Sequence, residues 1–386
     1  MEWLTQRFEL SRGGAARNVR PMEGLRGFAV FLVFLVHYST LVKPWIAEEP
    51  ALLAVSNALR TIGTTGVDLF FVLSGYLIYS LLISRPQQFV RFMSRRVERI
   101  YPAFVAVFIV YVVLSFAFPA ESKIPGTAFE GLIYLAKNFF LLPGLFPIDP
   151  MISVAWSLSY EMFYYLAIPL VVQLFRLRKV RSAWRAVFFS TFAAATTIYC
   201  AAYGGHVRLV MFVSGILLYE AMNSRHVPTP NGCLGLLVLA LGLLATLLPI
   251  SGSGGGALKV GILFVSFFIL CLACFRNPSA SLPGMFSWTP LRWLGNMSYS
   301  FYLLHGLALK AAFAVLAVVL PTASGSSWLF YALLPVMFAS TLVPTSILFL
   351  AVERPFSLAP RRIMSSVPRA PHDQGPDDTI SKVPPS

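Results

Sequence analysis

The chain has 386 residues, 57% hydrophobic and only 12% charged, with a formal net charge of +14. Long apolar runs recur from residue 21 to residue 351, which excludes a soluble globular domain and describes a polytopic membrane protein. The surplus of Lys and Arg collects in the loops on one side of those runs, so the net charge is a topological signal and gives no ground for a nucleic-acid partner.

Ten segments are long enough to cross a hydrocarbon core: residues 22–42, 62–83, 101–119, 153–175, 184–203, 206–223, 232–250, 257–275, 296–320 and 328–351, with ends set to about 2–4 residues. The expected fold is all-α, a polytopic helical bundle of about ten transmembrane helices. Of the 30 Lys and Arg residues, 22 fall in the two tails and the even-numbered loops, against 6 in the odd-numbered loops. By the positive-inside rule both termini are cytoplasmic. The first apolar run contains His37 and lacks a small-x-small exit, so it reads as a retained anchor helix. Residues 1–20 form a cytoplasmic tail and 21–358 the membrane domain, while 359–386, rich in Pro, Asp, Ser and Arg, read as a disordered tail. Cys200, Cys233, Cys271 and Cys274 lie in or beside apolar segments. Cys271 and Cys274 have no second pair or His nearby, so they read as packing residues and no metal site is expected.

In chain order, the first helix carries Arg26 and His37. Eleven residues apart, they lie about 20° apart around the helix and about 16 Å apart along it, so both look at the same neighbours. An ionisable group in a bilayer core costs at least ~2.5–3.5 kcal/mol unless a polar cavity or partner receives it. The alternatives are an Arg that snorkels to the interface and a structurally hydrogen-bonded His. In the next helix, taken to start near residue 62, Asp68 falls about 9 Å below the outer end, matching His37 in depth. A carboxylate there would fix the imidazole tautomer, or else cap its own helix. Gly63, Gly66 and Gly75 suit close helix packing. Arg95, Arg96 and Arg99 share one face if their segment is helical, an arrangement suited to phosphate oxygens. Plain positive-inside charge and lipid head-group contact would also place arginines there, as they do at Arg176 to Arg181.

The longest outer segment, Pro119 to Met151, contains the mildly apolar stretch from Phe129 to Leu142, which suits an interfacial or re-entrant lid. Trp156-Ser157-Leu158-Ser159-Tyr160-Glu161 follows, dense in hydroxyl and indole groups around a carboxylate, and reads as a cavity wall near the depth of His37 and Asp68. Ser251 to Gly256 reads as a flexible outer turn. The ninth helix starts with a polar, aromatic stretch and carries His305 near mid-membrane. The last ends at Pro355, with Glu353 near the cytoplasmic arginines.

Taken together, these motifs resemble those of acyltransferase family 3, integral membrane acyltransferases that modify lipopolysaccharide, peptidoglycan, exopolysaccharide, lipo-oligosaccharide and macrolide acceptors. The resemblance rests on Arg26 and His37 as a basic-x10-His pattern, on Gly66-Val67-Asp68-Leu69-Phe70-Phe71-Val72-Leu73-Ser74-Gly75-Tyr76, and on Arg95-Arg96-Val97-Glu98-Arg99-Ile100-Tyr101-Pro102. It continues through Trp156-Ser157-Leu158-Ser159-Tyr160-Glu161, Ser298-Tyr299-Ser300-Phe301-Tyr302-Leu303-Leu304-His305 and Val352-Glu353-Arg354-Pro355-Phe356, in the family's order. It implies a catalytic role for His37, acyl coenzyme A binding at Arg96 and Arg99, and an acceptor met on the outer face of the inner membrane. An appended periplasmic hydrolase-like domain is common in the family and absent from this sequence, so the acceptor step is expected to finish within the membrane domain.

The expected activity is therefore transfer of an acetyl or other short acyl group from cytoplasmic acyl-CoA to a hydroxyl of a carbohydrate, lipo-oligosaccharide or macrolide. His37 would be the general base, with Asp68 and Glu161 beside it. Arg26, Arg95, Arg96, Arg99 and Glu353 would form the coenzyme site. Trp156, Ser157, Tyr160 and His305 would contact substrate or the oxyanion. The donor is a co-substrate, and no permanently bound cofactor is expected. The rival class is a proton-coupled transporter or flippase using His37, Asp68 and Glu161 as a relay, although no internal repeat or pair of broken helices supports it.

Overall fold

A computed structural model describes residues 2–10, 19–277, 280–321 and 327–358. Arg12 and Arg17 of the N-terminal tail and the tail from residue 359 lie outside the described residues. The described chain is all-α and polytopic. A short helix α1 (Glu2–Phe8) precedes α2 (Val19–Leu41), α3 (Pro50–Gly63), α4 (Thr65–Ser84) and α5 (Phe89–Ala117). Then come α6 (Ala128–Phe139), α7 (Trp156–Leu174), α8 (Ser182–Tyr203), α9 (Val210–Met222), α10 (Gly232–Ala245) and α11 (Gly252–Arg276). The series closes with α12 (Ser281–Phe286), α13 (Thr289–Asn296), α14 (Ser298–Val319) and α15 (Ser327–Leu348), which runs on as a π-helix, Phe349–Leu358.

Among the described residues, seven helices are long and apolar enough to cross a membrane: Arg20–Leu41, Pro50–Ser84, Phe89–Ala117, Ser182–Tyr203, Gly252–Arg276, Ser298–Val319 and Trp328–Leu358. The other three expected crossings are helical as well. Of these, α9 and α10 have 13 and 14 residues, about 20 Å of rise against a core of about 30 Å. The 19 residues of α7 suffice in length, but their Trp, Ser, Tyr and Glu content lowers the hydropathy.

The largest departure from the sequence reading is at the second crossing. Residues 50–60, expected as a loop, are helical from a Pro at the first turn, and Thr64 keeps right-handed helical angles, so α3 and α4 form one 35-residue rod. The rod runs antiparallel to α2. Ser56 Oγ donates to Ser39 O at 2.8 Å, and a Cβ on Gly63 or Gly66 would fall 2.5 Å from Leu32 O or 2.3 Å from Ala29 O. Each step along the rod is therefore a step back along α2, which sets Asp68 opposite Gly27, about 15 Å short of His37. The equal depth expected for His37 and Asp68 is lost because the helix begins at Pro50 rather than near residue 62.

Other boundaries move for local reasons. The arginines at 95–99 belong to α5, which runs through Pro102. The expected outer turn at Ser251 to Gly256 is mostly the first turn of α11, where unsatisfied N–H groups are normal and Ser253 Oγ reaches Ala201 O at 2.7 Å. Pro355 does not stop the last helix, which passes through it as a π-helix. The outer α6, capped by Thr127, has 12 residues, about 18 Å, too short to cross. It exposes Phe129 and Leu132 and takes a hydrogen bond from Tyr101 on Phe139 O at 3.3 Å. Nearby, Lys310 donates to Glu121 and holds that carboxyl below its usual range.

At the arginine-bearing end of the bundle, Phe8 stacks on Phe349 with 5.7 Å between ring centroids, and Arg354 donates to Gln6 O at 2.8 Å. Arg292 of α13 bridges Glu9 and the buried Glu23. In the middle of the bundle α4 and α9 run parallel in backbone contact: a Cβ on Gly215 would lie 2.0 Å from Val72 O, and one on Gly75 2.1 Å from Phe212 O. Gly215→Ala is expected to force these helices apart at a cost of ~1–3 kcal/mol. Thermal unfolding in detergent tests this, and an unchanged midpoint would show that the crossing is loose.

Candidate active site

Three arginines and Glu161 line one cavity of about 110 Å³ between α2, α4, α5, α7 and α14, with Glu353 behind Arg99. Arg26 donates from Nε and Nη2 to Ser298 Oγ at 3.2 and 3.0 Å and lies over the Phe70 ring. Arg99 pairs with Glu353 at 2.6 Å, and Glu353 in turn accepts from Ser300 N and Ser300 Oγ at 3.0 and 2.6 Å. Both oxygens of that buried carboxylate are thus occupied, which fixes the guanidinium over the Tyr299 ring. Arg96 is held differently, by the faces of Phe92 and Tyr165 at 5.1 and 5.3 Å. Its Nε is buried with no hydrogen-bond partner in the structure. Glu161 Oε1 accepts from Tyr165 at 2.6 Å and from Ser74 at 3.3 Å. A ring-packed guanidinium with a spare donor suits an anionic or carbonyl oxygen brought by a ligand.

From this cavity a polar track continues along α14. Ser298, Tyr302 and His305 recur at i, i+4 and i+7, which puts them on one helix face. Tyr302 OH and Ser157 Oγ are 2.7 Å apart, and Tyr302 also reaches Val154 O at 3.1 Å. One turn further on, the rings of His305 and His37 meet edge to face with centroids 4.8 Å apart. His37 is half-buried, whereas His305 is fully buried. Beside them Gly306 leaves room: a Cβ there would lie 3.7 Å from His37 Nδ1 and Cε1 and 3.9 Å from the exposed Ser153 Oγ. Arg26 and His37 therefore share their neighbours by facing one stripe of α14, at Ser298 and at His305.

Several expected site residues sit elsewhere. Arg95 is exposed and does not line the cavity, because its two companions take the inward face of α5. Glu161 meets Ser74, six residues beyond Asp68 on α4, so it lies about 9 Å further toward the arginines than that carboxylate. Asp68, buried with neither oxygen hydrogen-bonded, faces Arg208 at 3.8 Å, and Arg208 also reaches Thr64 O and Thr64 Oγ1. Tyr160 pairs with Nδ1 of the exposed His206 at 2.5 Å, with Trp156 packed beside it. His206 and Arg208 were not foreseen. The two glycines before them, Gly204 and Gly205 at φ 78° and 122°, turn the chain back into the bundle at that point.

The family model described as "Acyltransferase domain" matches residues 21–349. The chain is 25% identical over 346 residues to the peptidoglycan O-acetyltransferase OatA of Listeria monocytogenes, a match covering 79% of this chain and 51% of that protein. It is 29% identical over 329 residues to the putative peptidoglycan O-acetyltransferase YrhL of Bacillus subtilis, covering 75% and 48%, and 27% identical over 329 residues to the O-acetyltransferase OatA of Staphylococcus aureus, covering 75% and 50%. It thus spans about half the length of the curated relatives it matches. No solved structure matches it. The matched residues hold the arginine cavity, the Ser298–His305 stripe and both imidazoles, and the chain belongs to this acyltransferase family.

Proposed function

We propose that the protein is a membrane O-acyltransferase that takes an acetyl or other short acyl group from acyl-CoA at the arginine end. It passes the group to a hydroxyl of a carbohydrate acceptor at the far end, with His37 as general base. The observation that carries this reading is the continuous polar track from Arg96 and Arg99, past Arg26 and Ser298, to the His37–His305 pair. The names of the relatives, O-acetyltransferases of which two are specified for peptidoglycan, support an acetyl donor and a glycan acceptor.

The arginines would bind the coenzyme's phosphates while its thioester reaches along the track. His37 removes the acceptor hydroxyl proton as the oxygen attacks the thioester carbon. The C–O bond forms, the carbonyl pair moves onto oxygen, and Ser157 or Tyr302 lies along the track as a donor to that charge. Collapse breaks the C–S bond, and the imidazolium returns its proton to the leaving thiolate. The positive-inside bias supports a cytoplasmic donor and cytoplasmic termini, the ten apolar segments support ten crossings, and helical rather than barrel spans fit an inner membrane.

Proteoliposomes supplied with labelled acetyl-CoA and peptidoglycan fragments test the reading, with esterified glycan as the expected product. Movement of a solute across the vesicle wall without any ester would favour the transporter instead. The relay that a transporter would need is interrupted, since Asp68 lies about 15 Å from His37 by helix register. Gly306→Ala is expected to fold, because its new methyl makes ordinary contacts. It would crowd the open edge of His37 and lower transfer to a glycan by up to about 10²-fold, more than it lowers acetyl-CoA hydrolysis by water. Equal losses for the two acceptors would show that the acceptor does not approach past Gly306.

A further inference from the structure

His305 stacks on Phe301 at 5.3 Å and directs Nδ1 at two backbone carbonyl oxygens, those of Phe301 and Tyr302, each 2.9 Å away. Two acceptors facing one ring nitrogen require that nitrogen to carry the proton. The lone pair of the ring therefore sits on Nε2, which is buried and has no hydrogen-bond partner in the structure. The ring packed edge to face against the His305 imidazole, centroid to centroid 4.8 Å, is that of His37. Other polar groups nearby are engaged: Tyr302 with Ser157 and Val154 O, Tyr38 with Phe330 O, and Arg26 with Ser298. The carboxylates Asp68 and Glu161 are held away from His305, at Arg208 and at Tyr165.

We propose that His305 is the positioning residue for His37: its bare Nε2 accepts the inward N–H of the His37 ring, which presents the outward nitrogen of His37 to the acceptor as a lone pair. The hydroxyl proton moves to that outward nitrogen as the C–O bond forms. The resulting imidazolium keeps its inward N–H on His305, and the outward proton goes to the thiolate when the C–S bond breaks. His305 itself gains and loses no proton. A carboxylate does this work in a serine-protease triad. In a hydrocarbon interior an ionised carboxylate is expensive, and a neutral imidazole supplies the same acceptor without a charge.

His305 has this role only if His37 is the base, so the test includes both. Parent, His37→Ala, His305→Asn and His305→Gln proteins are reconstituted with acetyl-CoA and an N-acetylglucosamine oligosaccharide as probe acceptor. Release of free coenzyme A thiol into water, without glycan, gives a second rate for each. The shorter Asn amide keeps a donor to the two carbonyls and offers nothing at the position of Nε2, whereas the Gln carboxamide oxygen reaches it. The Asn variant is expected to lose ~10²–10⁴-fold in kcat with parental KM and coenzyme A binding, and the Gln variant to recover most of the loss. Parental kcat in the Asn variant, or equal losses in both variants, overturns the assignment. A fully active His37→Ala protein would instead overturn the base itself.

Discussion

Replacing His37 with Ala is expected to abolish acyl transfer, by ~10²–10⁴-fold, in a protein that still folds and still binds coenzyme A. Imidazole is the side chain that most readily both accepts a hydroxyl proton and returns it to a thiolate near neutral pH. His37 is half-buried, opens beside Gly306 and Ser153, and meets the cavity track through His305. Its removal leaves no buried charge stranded, so stability should change little. Transfer of labelled acetyl to glycan, measured beside coenzyme A binding, separates the two effects. Near-parental turnover in a well-folded variant would make the ring structural and leave His305, in contact with it, or Glu161 as the base.

The second large effect is expected at the arginine cavity. Arg96 rests between two aromatic faces without an acidic partner of its own among the described residues, so Arg96→Ala should weaken coenzyme A binding without unbalancing a buried ion pair. A charge-assisted hydrogen bond is worth roughly 1.5–3 kcal/mol, which corresponds to about ten- to hundred-fold in affinity. Arg99→Ala adds a second loss but also strands Glu353, which is fully buried, and should lower thermal stability as well. The Arg99→Ala, Glu353→Gln double variant should regain part of that stability and none of the affinity. Calorimetric titration with coenzyme A reads the binding, and unchanged affinity in Arg96→Ala would reduce the cluster to ordinary membrane-side charge.

What could be seen in the sequence was what depends on local pattern. Apolar runs mark the helices, and the eleven-residue interval from Arg26 to His37 gives a shared face because helix geometry alone decides it. Depth was not legible in the same way. The position of Asp68 depends on where its helix starts, and the stretch Pro50 to Arg60 is amphipathic enough to pass for a loop while folding as helix against α2. Glu161 was misplaced in depth for a related reason, since Trp156 starts its helix beside Phe71, already inside the bundle. The stripe Ser298, Tyr302 and His305 was readable, because its i, i+4, i+7 spacing is a sequence property. Its partner was not, because nothing local says that His305 should meet His37. Arg208 resembled any other loop charge until the turn at Gly204 and Gly205 carried it to Asp68.

The stacking of Phe8 on Phe349 and the bond from Arg354 to Gln6 put the beginning and the end of the described bundle against each other. A chain that starts and finishes at one face of a sheet of lipid has passed through it an even number of times. Seven is odd, so the long apolar helices do not complete the path by themselves. If both ends lie on one face, at least one of the shorter or more polar helices, Trp156–Leu174, Val210–Met222 or Gly232–Ala245, carries the chain across as well. One of these three carries site residues: α7 brings Ser157 and Glu161 to the cavity, while the turn into α9 brings Arg208 to Asp68, away from it. A helix too short for the lipid around it thins the bilayer locally, and the 13-residue α9 would place that thinning beside Asp68, at a depth between the arginine cavity and His37.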